Sequence, residues 1–99
     1  MAGTAKSSGI LTAGTVQVVT GKGVLSAVHA ISDGTNVATV TAYDNAAGDT
    51  SGTVLAKVNG SVNTGSNGAI WTTPVRYELG ITVVVSGPGT PQGIIYHGA

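Results

Sequence analysis

The stretch Val37–Val58, VATVTAYDNAAGDTSGTVLAKV, limits the fold more than any other part of the chain. Two runs, Val37–Tyr43 and Thr53–Val58, alternate in strict period two, so each run presents one face to a core and the other to solvent or a partner. Between them lies Asp44–Gly52, DNAAGDTSG, whose Asx, Gly and Ser residues end both strands. The expected unit is a β-hairpin, or a pair of strands crossing between two sheets, with a protruding loop.

The remaining chain repeats that texture. Thr15–Thr20 (TVQVVT) is a short β-branched strand, and Gly21-Lys22-Gly23 supplies the positive φ angles of a tight hairpin. Gly23–Ser32 is apolar on both faces, as in a central strand, with Val24, Val28 and Ala30 on one face and Leu25, Ala27, His29 and Ile31 on the other. Asp33–Asn36 reads as a hairpin turn. After the polar loop Gly60–Gly68, Ala69–Thr72 and Pro74–Glu78 form an interrupted strand. Pro74 cannot donate to a ladder and marks an edge, a bulge or a strand start. Ile81–Val85 (ITVVV) is too apolar for an open edge and is expected to be central or covered. Ser86–Gly93 turns the chain into a closing strand at Ile94–Tyr96.

Seven or eight short antiparallel strands with no helical pattern give an all-β fold, a single small β-sandwich or jelly-roll-like barrel over residues 15–99. The expected core is Val18, Val24, Val28, Val40, Val54, Leu55, Ile70, Leu79, Ile81, Val83, Val85 and Ile95. Residues 1–14 are small, polar and Gly-rich. They form an extended N-terminal arm, flexible or docked on a neighbouring subunit.

Charged residues are 8% of the chain and sum to zero, against roughly 25% in ordinary soluble proteins. A surface so poor in charge does not favour a free monomer, so other subunits are expected to cover much of it. Four dispersed basic residues leave no footprint for nucleic acid, nor for an anionic membrane. The chain has no cysteine and no apolar run long enough to span a bilayer. Ile10–Leu11 is too short for the apolar region of a signal peptide, and the chain is expected to be made and kept in the cytoplasm, or assembled there into something larger.

No catalytic constellation emerges, and no cofactor is implied. Only His29 and His97 titrate near neutrality. His29 lies among apolar strand residues, as a structural histidine would, and His97 is expected to be exposed or at an interface. The two could meet at a subunit axis and hold a metal. Asp44, Asn45 and Asp49 offer oxygen ligands but lack the spacing of a calcium loop, and Asx-turn bonding to backbone amides is the favoured role. Asn59-Gly60-Ser61 matches a glycosylation acceptor and reads as a turn. Trp71, Arg76 and Tyr77, close together around Pro74, are of the types that anchor interfaces. The candidate interface residues are therefore Trp71, Arg76, Tyr77, Asp44, Asn45 and Asp49.

Two patterns carry a resemblance. One is the strand ending Tyr43-Asp44-Asn45, followed by a small polar loop and Gly52-Thr53-Val54-Leu55. The other is Pro74-Val75-Arg76-Tyr77 followed by Gly80-Ile81-Thr82-Val83-Val84-Val85. Together, across roughly Gly23–His97, the chain resembles small structural proteins of tailed bacteriophages, of the capsid decoration (cement) or head-fibre type. The resemblance implies a non-enzymatic virion protein on the capsid exterior. Its partner would be the major capsid protein, and its homo-oligomer is expected to be a trimer. The alternative is a tail, head-fibre or receptor-binding module, with Asp44–Gly52 or Ser61–Gly68 touching a host glycan or protein.

Overall fold

The computed structural model describes residues 6–60 and 66–98, with backbone alone over 66–74. The strands are β1 (Lys6–Ser7), β2 (Leu11–Thr12), β3 (Gly14–Thr20), β4 (Gly23–Ile31), β5 (Ala38–Asp44), β6 (Thr53–Gly60), β7 (Ser66–Tyr77), β8 (Gly80–Ser86) and β9 (Gln92–Gly98). They form two antiparallel sheets. One runs β1-β9-β4-β7, with β2 also on β9, and the other runs β3-β8-β5-β6. The fold is thus a small all-β sandwich with seven strands of seven residues or more, and β1 and β2 as two-residue additions.

The connections depart from the expected hairpins. Gly21 has φ +91°, yet β3 and β4 belong to different sheets, and so do β4 and β5. Both turns carry the chain across the sandwich. Among the described residues only β5 and β6 are sequence neighbours that pair, so Val37–Val58 contains the fold's one such hairpin. Residues 6–12 of the N-terminal segment lie on β9 of their own chain: Lys6 is opposite His97, and Leu11 opposite Gly93. The expectation for Met1–Ala5 lies outside the described residues.

Two expected central strands are central. β4 sits between β9 and β7, and β8 between β3 and β5. The core comprises Leu25, Val28, Ala30, Ala38, Val40, Ala42, Tyr77, Ile81, Val83, Val85 and Ile95, with Leu11 at one end. At about 25 cal/mol per Å² of apolar surface removed from water, such aliphatic side chains dominate the favourable side of folding. Gly93 lets the sheets approach, because a Cβ there would sit 2.6 Å from Val40 Cγ2.

Bulges explain where alternation misplaces residues. In β4 the register slips between Leu25 and Ala27, so Leu25 joins Val28 and Ala30 in the core instead of facing away from them. In β6 the partners of Ala42 and Tyr43 are Ala56 and Val54. Leu55 is the extra residue; beyond it Val54 turns outward and is 53% exposed rather than in the core. Leu79, also expected inside, is 58% exposed at the turn before β8, and Val24 is only half-buried. Ile70 falls among residues described by backbone alone. The interrupted strand is continuous as β7, an edge strand, but residues 71–74 bulge opposite Ser26 alone. That is the irregularity expected at Pro74.

Candidate interaction surface

The loop after β5 does not protrude. Asn45 is buried, and its side chain organises the loop. Its Oδ1 accepts from Ala47 N (2.8 Å), Asp49 N (3.2 Å) and Thr82 Oγ1 (3.2 Å). Its Nδ2 donates to Asp49 Oδ1 (2.8 Å) and Ser51 Oγ (3.1 Å). Thr82 Oγ1 also donates to the Asn45 carbonyl at 3.1 Å. Thr82 is opposite Gln17 and Tyr43 and lies between Ile81 and Val83, both core residues. It therefore faces away from the core, and its complete burial means that the loop folds back over the outer face of β8. Gln17 Nε2 donates to the Ala46 carbonyl and ties the loop to β3.

The acidic candidates are committed within the chain. Asp44 accepts from Glu78 N (3.0 Å) and Leu79 N (2.8 Å), bracing the turn between β7 and β8. Asp49 accepts from Ser51 Oγ (2.6 Å) and Ser51 N (2.9 Å). Those two bonds hold its carboxyl below the ordinary range; desolvation opposes them and the bond from Asn45 adds to them. Asp49 thus forms the expected Asx turn through the Ser51 amide two residues on, whereas Asp44 bonds amides on a distant strand turn instead of its own. Asp33 does the same elsewhere. It accepts from Thr35 N, Thr90 N, Asn36 N and Asn36 Nδ2, which joins the β4–β5 turn to the β8–β9 loop and holds its carboxyl far below the usual range.

Tyr77 is 1% exposed and belongs to the core, so it is not an interface residue of this chain's surface. Its hydroxyl is 3.5 Å from the Gly98 carbonyl, long for a hydrogen bond, and burial pushes its phenol up. A Cβ at Gly23 would collide with that hydroxyl, so the glycine makes room for the ring. Trp71 lies in the bulged part of β7, and its side chain is outside the described residues.

Arg76 remains at the surface. It lines an open cleft of about 430 Å³ with Lys22, Gly23, Val24 and Glu78. Alternation explains the arrangement, because Arg76 and Tyr77 are adjacent on a strand and point to opposite faces. Lys22 sits in the neighbouring sheet-crossing turn. Neither the Lys22 nor the Arg76 side chain has an ion pair or hydrogen bond among the described residues. Two of the chain's four basic residues therefore share one cleft. Lys22 is a residue that motif reading passed over, since only its place in the turn opposite Arg76 brings it there.

Both histidines lie on the first sheet. His29 on β4 meets the Tyr96 ring edge-on at a 6.1 Å centroid separation. His97 is half-buried; burial first, and then the Lys6 ammonium, hold its pKa below the ordinary value. Among the described residues no group of three or more His, Asp or Glu is placed to hold a metal. Family models, curated proteins and solved structures alike provide no match to the chain.

Proposed function

We propose that this chain is a non-enzymatic structural subunit of a bacteriophage virion, a decoration protein that binds the capsid exterior and stabilises the head. The observation that carries the reading is the surface: poor in charge, with Lys22 and Arg76 gathered at one cleft and their side chains without partners among the described residues. A neutral sandwich of this kind gains by burying flat area against another protein, and the two cations at the cleft give that contact a register through acidic groups on the partner. The partner is the major capsid protein. Copies of the chain associate with one another, as a trimer by preference, around a local symmetry axis. Binding only the assembled shell stabilises that shell by mass action.

The test is co-sedimentation of the purified chain with heads that lack it, followed by heating or chelator treatment of the loaded heads. Binding together with raised resistance is the expected result. Recovery of the chain solely on purified tails, or binding of the isolated protein to host cells, would instead favour a tail, head-fibre or receptor-binding module.

A further inference from the structure

We propose that the free edge of β3 is a self-pairing surface, on which β3 of a second copy adds antiparallel across a two-fold axis and makes the β6-β5-β8-β3 sheet continuous between two copies. β3 ends its sheet, and no described strand pairs with its other edge. Gly14–Gln17 are all exposed, and Val16 is 38% exposed. An unpaired edge of this kind presents a row of backbone donors and acceptors that template another strand.

Charge selects both the edge and its occupant. The other edge strands of seven residues or more each carry a cation, Lys57 on β6 and Arg76 on β7, and the short β1 carries Lys6. Pairing any of these with its own copy would bring like charges together, the usual device against edge-to-edge association. Strand β3, GTVQVVT, has none, so two copies meet without repulsion. Its composition suits self-pairing too, since Thr15 and Val16 find small, uncharged partners across a two-fold contact.

Local geometry sets the extent. The register of β3 on β8 slips at Val18, and a bulge of this kind interrupts regular pairing. Self-pairing is therefore confined to the regular run Gly14–Gln17 and is weak, visible as concentration-dependent association. The Gln17 side chain is held by the Ala46 carbonyl, which keeps it off the pairing edge. This contact is independent of capsid binding and of any other contact between copies.

Sedimentation of the isolated full chain from low to high micromolar concentration tests it. The expected result is a mass that approaches double that of the unit present at low concentration, while V16K and T15K hold the smaller unit throughout. T15K is included because Thr15 is exposed on the face away from the core, so it leaves packing intact if V16K lowers the melting temperature. Hydrogen exchange on wild-type protein supplies a second reading, with amide protection over Thr15–Gln17 rising with concentration. A wild-type mass that is constant across the series, or variants that double as wild type does, would overturn the proposal.

Discussion

Replacing Asn45 by alanine removes five hydrogen bonds at once, to Ala47 N, Asp49 N, Thr82 Oγ1, Asp49 Oδ1 and Ser51 Oγ. A typical intramolecular hydrogen bond contributes about 1 kcal/mol net. Ala47, Asp49 and Ser51 are exposed, so water replaces part of what they lose. Thr82 is fully buried but keeps the Asn45 carbonyl. The expected loss is therefore about 2 kcal/mol rather than the full sum. For a domain of this length that corresponds to a fall in melting temperature of roughly 10 °C. Urea unfolding should show a lower midpoint with an unchanged slope, and the amides of Ala47, Asp49 and Ser51 should exchange faster. A loss below about 0.5 kcal/mol, with exchange at those amides unaltered, would refute the idea that Asn45 pins the loop to β8.

Tyr77 separates a core role from an interface role. Tyr77→Ala should cost about 3–5 kcal/mol by chemical denaturation, whereas Tyr77→Phe should cost under about 1 kcal/mol because the hydroxyl's bond is long. His97 predicts a pH dependence. Its folded pKa lies below 6.5, so the unfolded chain binds the proton first. Stability should fall as pH drops from above 6.5 through the folded value, and His97→Gln should flatten that slope in melts across the window. Lys6→Ala should raise the His97 pKa seen by NMR titration, because the ammonium's repulsion is removed. Reversing both cleft charges, K22E with R76E, should weaken head binding about tenfold or more (~1.4 kcal/mol) and reduce its salt dependence, with the melting temperature little changed.

Strand content was legible because β-branched runs and Gly/Asx turns are local signals, and ITVVV had to be central because its apolarity leaves no other place for it. Bulges were not legible. The slip beside Leu25 and the extra residue Leu55 reverse inside and outside in mid-strand, and nothing in the alternation marks them. Turn residues stop a strand without saying which sheet takes the next one, so Gly21 and Asp33 looked like hairpin turns although both lead across the sandwich. The polar loop after Tyr43 was correctly placed between paired strands. Its direction depended on Asn45 finding Thr82 thirty-seven positions away. Arg76 stood out by residue type, but its pairing with Lys22 and its separation from buried Tyr77 needed the sheet.

The proposed role of this charge-poor, net-neutral sandwich is to lie on another protein assembly. The most direct measurement is the position of the chain on purified virus particles, by electron microscopy of wild-type particles against particles lacking it. Difference density is expected on the outer surface of the capsid, across joints between its subunits. Density confined to the tail, or no density on the particle at all, would contradict that role.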